Sequence, residues 1–267
     1  MDQQLDRPRI SNEPISVLLP VYNQVAGLET IVENWLRALA RLERPVELVI
    51  VDDCCTDDTP TAIAKLAARH AEIRPLRHEV RRGYGAGLRT ALAAATHPLI
   101  FCTGCDYPYP PADITKLLDV IDSADLVSGC RSDPVPAWLR RLDGFHYVFA
   151  RVVFGVAPEP RPGWRGWPAW MAALKLRLLF GLRLWDPTSA YKLFRRSVLD
   201  RIPIQSNGEF VHAELMAKAN FLGCLMAEVP IGRLPGNFKG VPEPPAADSA
   251  GDAQRVFRRP AFASSAS

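Results

Sequence analysis

The fold is decided by the stretch Val46-Glu-Leu-Val-Ile-Val51. A near-continuous apolar and β-branched run of this kind is typical of an interior strand in a parallel sheet, because helices cover both faces of such a strand. Residues 59–70 follow it with apolar side chains at helical spacing. Parallel strands need a crossover connection, usually a helix, so this pair of segments predicts a βαβ unit.

The same alternation recurs on both sides of this unit. Further strands are predicted at residues 15–19, 73–78, 98–102 and 125–129, and further helices at 27–42, 84–95 and 111–121. Each strand but the last is followed by a helix. The sequence therefore predicts an α/β fold with a mainly parallel central sheet that is covered by helices on both faces.

The regular alternation ends after Asp133. Residues 158–170 are rich in Pro, Gly, Arg and Trp and predict an irregular connector, whereas the pattern that follows predicts an amphipathic helix up to Trp185. From residue 241 the chain is rich in Pro, Ala and Ser without periodicity, which predicts disorder. We therefore expect an N-terminal extension (1–14), one domain (15–232) with a variable segment (135–185), and a disordered tail (241–267).

Composition and charge bear on three questions: binding to nucleic acid, secretion, and insertion into a membrane. The 32 Lys and Arg against 29 Asp and Glu give a net charge of +3, which is too small to predict binding to nucleic acid. The polar residues 1–14 contain no apolar signal region, so a cytoplasmic protein is expected. Charged residues interrupt the best candidate for a transmembrane helix, so none is expected; they are Lys175, Arg177 and Arg183.

The six cysteines are expected to be reduced thiols, as is usual inside cells. Cys102-Thr-Gly-Cys105 matches the C-x-x-C pattern of redox and metal sites. The pattern is short, and we interpret it as an accidental match.

Polar side chains follow the predicted strands at their carboxyl ends, where ligands bind in sheets of this type. Asp52, directly after the buried strand, is predicted to contact a ligand through a base N–H or a ribose hydroxyl, or to lie near a cation. For Asp57 and Asp58, capping of the following helix is the favoured role.

A glycine-rich segment, Arg82-Gly-Tyr-Gly-Ala-Gly87, opens one of the predicted helices. Gly83 and Gly85 would let the backbone approach a phosphate group near the positive end of the helix. The spacing matches neither the dinucleotide fingerprint nor the P-loop, so a plain tight turn explains the segment equally well.

Two charged residues at strand ends suit a diphosphate. Asp106 precedes the rigid segment Tyr107-Pro-Tyr-Pro-Pro111 and could face a Mg²⁺ or Mn²⁺ ion, since hard cations take oxygen ligands. Arg131 could bind phosphate through both of its terminal nitrogens, or form a surface ion pair with Asp133.

In order along the chain, five segments resemble the successive motifs of family 2 glycosyltransferases, closest to the dolichol-phosphate mannose synthase branch. They are Ile15-Ser-Val-Leu-Leu-Pro-Val-Tyr-Asn23, Leu48-Val-Ile-Val-Asp-Asp-Cys-Cys-Thr-Asp-Asp-Thr59, Arg82-Gly-Tyr-Gly-Ala-Gly-Leu-Arg89, Cys105-Asp-Tyr-Pro-Tyr-Pro-Pro111 and Asp186-Pro-Thr-Ser-Ala-Tyr-Lys-Leu-Phe-Arg-Arg196. The resemblance covers about residues 15–232. It implies a Rossmann-like nucleotide-diphospho-sugar transferase fold of the GT-A type.

The resemblance also implies roles for individual residues. Nucleotide binding falls to Pro20, Tyr22, Asn23, Asp52, Asp53, Gly83 and Gly85. Asp106 would hold the divalent cation, and Arg131 would lie near the reacting phosphates. The far side of the site would be closed by Asp186, Ser189, Lys192 and Arg196. For Glu214 and Glu228, a direct role and structural pairing both remain open.

The chain departs from the family pattern at the acidic motif. The family has Asp-x-Asp-x-Gln where this chain has Gly104-Cys-Asp-Tyr-Pro108, so two of the three usual metal-directed side chains are missing. Asn23-Gln24 replaces the usual Asn-Glu, and Cys54-Cys55 replaces Gly-Ser.

The implied activity is transfer of a sugar from a GDP- or UDP-sugar to a polyprenyl phosphate, an acceptor that is already anionic and needs no strong general base. Trp164, Trp167 and Trp170, with the basic stretch up to Trp185, would suit either contact with a membrane interface or closure of the protein core. Two alternatives remain open: a non-catalytic nucleotide-binding or scaffold protein on this fold, and a transferase with a soluble glycan acceptor.

Overall fold

The computed structural model describes residues 12–105, 109–131, 182, 184–232 and 249–263. Seven strands are present in these ranges: β1 (Ile15–Val21), β2 (Val46–Asp52), β3 (Ile73–Arg77), β4 (Leu99–Cys102), β5 (Leu126–Arg131), β6 (Lys192–Arg195) and β7 (Met226–Ile231). The helices are α1 (Val25–Ala40), α2 (Thr59–Arg69), α3 (Tyr84–Ala94), α4 (Ile114–Ile121), α5 (Arg196–Leu199), α6 (Val211–Phe221) and α7 (Ser249–Arg258). A short 3₁₀ helix (Pro111–Asp113) leads into α4.

The strands form one sheet in the order β3-β2-β1-β4-β6-β5-β7. β1 pairs in parallel with β2 and β4, β2 with β3, and β5 with β7. β6 alone runs antiparallel, between β4 and β5. The predicted α/β fold with a mainly parallel sheet is therefore confirmed, and the antiparallel strand β6 was not predicted.

Helices cover both faces of the sheet because strand residues alternate between two apolar cores. Leu19 and Ile50 belong to the core beneath α1, α2 and α4. Leu18 and Val49 belong to the core beneath α3, α5 and α6. β1 is buried along its whole length, as expected for an interior strand.

The C-terminal region differs from its predicted disorder. Residues 249–258 form α7, in which Val256 and Asp252 are buried. The composition gave little sign of this helix, because most of its residues are polar or small and its position depends on hydrogen bonds to residues far away in the chain. The prediction of disorder is wrong for this helix.

Several sequence-based expectations fall wholly or mainly outside the described residues. They are the N-terminal extension 1–14, the variable segment 135–185 with its three tryptophans, Asp106, and the side chain of Arg131. Within the ranges that the structure does describe, no helix has both the length and the apolar character that crossing a membrane requires.

Candidate active site

The carboxyl ends of β1, β2 and β4 meet at one edge of the sheet. In the register, Val21 lies opposite Asp52, and Leu18 lies opposite Cys102. The loops after these strands therefore start side by side. Arg131 ends β5 on the same sheet, but its side chain and the whole of Asp106 lie outside the described residues.

Asp52 is buried at this edge, with 2% of its surface exposed. Its Oδ1 accepts a hydrogen bond from the backbone N–H of Cys55 at 2.7 Å. Its Oδ2 lies 3.3 Å from Nε of Arg77, an ion pair whose geometry is not that of a hydrogen bond. Within the described part of the chain, Oδ2 accepts no hydrogen bond, so it retains the capacity to accept one from a ligand.

Asn23 ties the loop after β1 to the loop after β2. Its φ of 49° lies in the left-handed region, which Asn tolerates better than most residues. Its Oδ1 accepts from the backbone N–H of Thr56 at 2.9 Å, and its Nδ2 donates to the Thr56 hydroxyl at 3.2 Å. The Asn23 side chain thus orders the edge on which it was predicted to act.

Asp57 joins the amino ends of α1 and α2. It accepts hydrogen bonds from the backbone N–H of Thr59 at 3.0 Å and of Val25 at 3.3 Å. Partial burial opposes ionisation, but these bonds and one from the Thr59 hydroxyl lower the pKa of Asp57 below its ordinary value. The predicted capping role is confirmed for Asp57, whereas Asp58 makes no side-chain capping bond.

Asp53 is fully engaged by the chain itself. Its Oδ1 accepts from the backbone N–H of Arg82 at 2.8 Å and lies 2.7 Å from Nδ1 of His78, and its Oδ2 accepts from the N–H of Gly83 at 2.7 Å. On the other side of the ring, Nε2 of His78 lies 2.8 Å from the Thr90 hydroxyl in α3. Asp53 therefore holds the segment that leads into α3.

The three glycines of the predicted phosphate loop serve the packing of α3. Gly83 has a φ of 93°, which favours glycine. A Cβ on Gly87 would lie 2.9 Å from Cβ of Pro20 in β1. A Cβ on Gly85 would overlap the carbonyl oxygen of Ser206 and lie 3.0 Å from that of Gly208.

Gly85 therefore differs from its expected role. Its N–H donates to the carbonyl oxygen of Asn207 at 2.8 Å, so the group that was expected to face a phosphate is already bonded. Glycine is needed here because the chain's own backbone passes too close for a side chain.

An aromatic and a guanidinium group stack beside Asp53. The guanidinium carbon of Arg81 lies 3.8 Å from the centroid of the Tyr22 ring. Stacking of this kind is favourable because the face of the ring carries negative potential. Tyr22 follows β1 directly, which places the stack at the same edge as Asp52.

The motif at residues 186–196 reaches this edge through β6. Lys192 pairs with Cys102 and with Ser128, so it lies at the carboxyl end of β4 and beside the middle of β5. Lys192 is fully buried, and its ammonium donates to the carbonyl oxygen of Ser189. Asp186 is also fully buried, and its hydroxyl neighbour Thr188 donates to its Oδ1 at 3.3 Å.

Arg196 does not belong to this edge, and its predicted site role is wrong. Because β6 runs antiparallel, Arg195 pairs with Leu99, at the amino end of β4. Arg196 follows at that opposite edge, where its Nε donates to the carbonyl of His97 at 2.9 Å and its Nη2 to that of Ala95 at 2.7 Å. It binds the C-terminal end of α3.

The roles of the two glutamates left open by the sequence are visible in their contacts. Glu228 accepts from the backbone N–H groups of Trp185 at 2.6 Å and Asp186 at 2.8 Å. Burial raises the pKa of Glu228, and these two bonds offset part of that effect. Glu214 accepts from the N–H groups of Gln205 and Ser206, each at 2.8 Å. Both carboxylates support loops, which is the structural alternative.

Two buried thiols at this edge, those of Cys55 and Cys102, are protonated at neutral pH. Burial, with help from nearby Asp52, raises the pKa of Cys55 to about 12. Burial alone raises the pKa of Cys102 to about 12, although the charge of Lys192 opposes this. Soft metal ions bind the deprotonated thiolate, so protonated thiols do not favour a soft-metal site here. Where the structure describes the chain, it contains no group of three side chains suited to a metal ion.

Sequence reasoning missed several residues that shape the site, including His78, Arg77 and Arg81. Arg77 ends β3 and His78 follows it, and the pattern of this strand is weak because most of its residues are exposed. A buried histidine leaves no signal in sequence periodicity. These three residues could have been suspected only from their position, because they lie at or shortly after the end of a parallel strand.

Comparison with known proteins gives the family. The sequence profile described as glycosyl transferase family 2 matches residues 16–202. The chain is 28% identical over 221 residues to a dolichyl-phosphate hexose transferase of Haloferax volcanii, which covers 82% of each protein. It is 26% identical over 227 residues to an undecaprenyl-phosphate mannosyltransferase of Micrococcus luteus, covering 81% of this chain and 82% of that one.

A solved structure shares the fold. Glucosyl-3-phosphoglycerate synthase from Mycobacterium tuberculosis, in complex with Mn²⁺ and UDP-glucose, superposes with a TM-score of 0.59 at 20% identity, over 92% of this chain and 77% of that one. At this identity the likeness shows the fold alone, which is of the GT-A type. The profile match covers most of the chain, and the chain belongs to glycosyl transferase family 2.

Proposed function

We propose that this glycosyltransferase moves a sugar from a UDP- or GDP-sugar to a polyprenyl phosphate. The observation that carries the proposal is that Asp52, at the end of β2, and Lys192, at the start of β6, both lie toward the carboxyl edge of the sheet, with β1 and β4 between them. Two relatives named for dolichyl-phosphate and undecaprenyl-phosphate transfer support the choice of acceptor. Solved structures of the same fold in complex with UDP or UDP-glucose support the choice of donor.

In this proposal the nucleoside lies beside the loops after β1 and β2. Asp52 Oδ2, which accepts no hydrogen bond from the described residues, takes one from the base or the ribose. Tyr22 and Asn23 line the same edge, and Pro20 supports them from the buried strand. Asp53, Gly83 and Gly85 act indirectly, because their contacts fix the segment that leads into α3.

The diphosphate then lies toward Asp106, Arg131 and Lys192. The oxygen atoms described at this edge are largely committed to backbone N–H groups, so Asp106 and the donor's own phosphates would supply the ligands of a Mg²⁺ or Mn²⁺ ion. Such an ion neutralises charge on the leaving diphosphate. Lys192 adds a buried positive charge, and Asp186 and Ser189 position the loop before it.

The chemical step needs little from a general base. A phosphate oxygen of the acceptor attacks the anomeric carbon while the bond from that carbon to the diphosphate breaks, so the negative charge passes to the nucleoside diphosphate. The acceptor oxygen carries no proton that must be removed. A transferase with these residues therefore depends on stabilising the leaving group.

The first test is calorimetric titration with UDP- and GDP-sugars, each with and without Mn²⁺. We expect one nucleotide to bind and Mn²⁺ to strengthen that binding. Asp52→Asn should weaken it about tenfold, the effect of one lost charge-assisted hydrogen bond. Asp58→Asn, an exposed carboxylate of the same loop that makes no capping bond, is the matched control. Absence of nucleotide binding under all conditions would contradict the proposal.

The second test compares acceptors. We expect transfer to a polyprenyl phosphate in detergent or liposomes, and loss of transfer in Asp106→Ala. Preference for a soluble phosphorylated or glycan acceptor would overturn the lipid assignment while keeping the transferase. Binding of the nucleotide-sugar without transfer to any acceptor would favour a non-catalytic protein.

We also propose peripheral contact with the cytoplasmic face of a membrane, since the acceptor would reside there. The tryptophans at positions 164, 167 and 170 are the residues proposed for this contact. Liposome flotation tests it directly. We expect the protein to float with anionic vesicles and a triple Trp→Ala variant to float less, whereas a wild-type protein that stays in the soluble fraction would refute the contact.

A further inference from the structure

Helix α7 lies beyond the residues matched by the family profile, yet it contacts a loop beside the proposed donor site. The contact is made by Asp252, of which 1% is exposed. Its Oδ2 accepts hydrogen bonds from the backbone N–H groups of Asn207 at 2.9 Å and Gly208 at 2.8 Å. A buried carboxylate with two backbone donors fixes the position of those donors strongly.

The 205–208 loop is held by a second buried carboxylate on its other half. Glu214, in α6, accepts from the N–H groups of Gln205 and Ser206, each at 2.8 Å. Four successive backbone N–H groups therefore donate to two carboxylates from different helices. Each carboxylate has a cationic partner, Lys218 for Glu214 and Arg255 for Asp252.

The carbonyl side of the same loop contacts the start of α3. The carbonyl oxygen of Asn207 accepts from the N–H of Gly85 at 2.8 Å. Arg89 donates to the carbonyl oxygen of Ser206 at 3.1 Å and to Oδ1 of Asn207 at 2.9 Å. The backbones approach so closely that no side chain fits at Gly85. A shift of the loop must therefore move the first turn of α3.

The first turn of α3 is in turn connected to the donor edge. Asp53 holds the N–H groups of Arg82 and Gly83, directly before this turn. Arg81 precedes them and stacks on Tyr22. A continuous path of hydrogen bonds and one stacked pair thus leads from Asp252 in the C-terminal helix to the proposed nucleoside site.

We propose that Asp252 is a positioning residue for the donor: α7 fixes the 205–208 loop, and the loop fixes the first turn of α3 and the Arg81–Tyr22 stack. This inference rests on the proposed function, because it takes the donor to bind at that edge. Removal of the carboxylate leaves the N–H groups of Asn207 and Gly208 buried without an acceptor. The loop then moves to reach water, and the donor edge loses its order.

The test uses the full chain with Asp252→Ala, Asp252→Asn and, as a matched control, Gln254→Ala, an exposed residue of the same helix. Steady-state transfer gives KM for donor and acceptor separately. We expect Asp252→Ala to raise the donor KM about tenfold while the acceptor KM and kcat change less than about threefold. Asp252→Asn, which keeps a carbonyl acceptor, should recover most of the donor affinity, and Gln254→Ala should match wild type.

A purely structural role predicts a different result. Activity would then fall in proportion to the folded fraction, measured by circular dichroism, with an unchanged donor KM. That outcome overturns the proposal, as does a folded Asp252→Ala with wild-type donor KM. If Asp252→Ala does not fold, Arg89→Ala takes its place, because it removes the bonds from α3 to Ser206 and Asn207. An unchanged donor KM together with unchanged amide exchange across residues 82–90 in that variant refutes the path.

Failure of the proposed function is distinguishable from failure of this inference. Hydrogen exchange of the peptide containing Gly85 reports the path without any substrate. We expect faster exchange there in Asp252→Ala and not in Gln254→Ala, even if the wild type transfers no sugar. Unchanged exchange at Gly85 in a folded Asp252→Ala would overturn the coupling itself.

Discussion

The local sequence predicts that Gly85 faces a phosphate, whereas the structure shows that Gly85 packs against the backbone of Ser206. We predict that Gly85→Ala lowers the free energy of unfolding by about 1–3 kcal/mol, since the new Cβ would overlap the Ser206 carbonyl oxygen. Gly27→Ala is the control. Its Cβ would lie 3.6 Å from the tip of Ile31 within α1, so it should stabilise by about 0.5–1 kcal/mol. Urea unfolding measures both, and a Gly85→Ala variant as stable as wild type would refute the packing argument.

Arg196 gives a second residue-scale prediction. Arg196→Ala should lose about 1–3 kcal/mol of stability, because its two hydrogen bonds to carbonyl groups at the end of α3 disappear. Donor affinity of the folded variant should equal that of wild type. Arg41→Ala, at the C-terminal end of α1, should change stability by less than about 0.5 kcal/mol. A selective loss of donor affinity in Arg196→Ala would show that Arg196 takes part in donor binding after all.

At the residue scale, strand ends could be predicted but hydrogen-bond partners could not. Asp52 ends β2 and Asp57 follows it, and each accepts a hydrogen bond from a backbone N–H two or three residues further along the chain. The partners of Asp53 come from residues 25 to 30 positions away. Those of Gly85 come from beyond residue 200. Separations of that size carry no signal in one sequence.

At the scale of elements, Glu47 joins β2 to β1 and to the turn before β4. It accepts from the Ser16 hydroxyl at 2.5 Å and from the N–H of Thr96 at 2.6 Å. Burial opposes ionisation, but these bonds and the nearby His97 lower the pKa of Glu47. The folded state therefore favours the carboxylate. Its stabilising effect is present above the ordinary pKa and is lost as the pH falls through the lowered one.

We therefore predict that part of the loss of stability below about pH 4.3, the ordinary pKa of Glu, belongs to Glu47. Glu47→Gln should be less stable than wild type at pH 7, and the difference should shrink on acidification toward pH 3. Thermal unfolding at a series of pH values measures it. Glu72→Gln, an exposed carboxyl group, is the control and should follow the wild-type profile. A constant difference between Glu47→Gln and wild type would contradict the assignment.

Elements with strong periodicity could be predicted, whereas the described elements after β5 were not, and β6 and α7 show why. The four helices predicted between residues 27 and 121 each match an observed helix, because an amphipathic pattern over ten or more residues is a long signal. β6 is only four residues long and begins and ends with a basic residue. α7 is held by Asp252 and by Val256, too few positions for a pattern. Their places are set by tertiary contacts.

At the scale of the whole molecule, chemical labelling of the buried cysteines measures whether the strands of the sheet separate. Burial raises the pKa of Cys102 to about 12, and the residue is enclosed between β1 and β6. We predict that Cys102 and Cys55 stay unmodified by a thiol reagent at pH 8 in the native protein, whereas Cys54, which is partly exposed, reacts. Mass spectrometry of modified peptides checks this. Rapid labelling of Cys102 without denaturant would mean that the central strands separate under native conditions.

The two edges of the sheet differ across the whole fold: the candidate site residues lie at the carboxyl edge, and residues with structural contacts lie at the amino edge. The carboxyl edge holds Asp52 and Lys192, while side chains of Glu47 and Arg196 bond the backbone at the amino edge. The parallel topology was predictable from the βα alternation, and with it the side on which a ligand binds. The reversal of β6 was not, and it decides that Lys192 lies at the carboxyl edge while Arg196, four residues later, lies at the amino edge.

The two carboxylates that hold the 205–208 loop become available at different times while the chain is being synthesised. Glu214 follows Ser206 by eight residues, but Asp252 follows Gly208 by 44. A ribosome therefore adds Glu214 soon after the loop, whereas it adds Asp252 only when 44 residues have followed Gly208. Until then the N–H groups of Asn207 and Gly208 face water, and the nascent chain has a finished sheet before it has a finished donor edge.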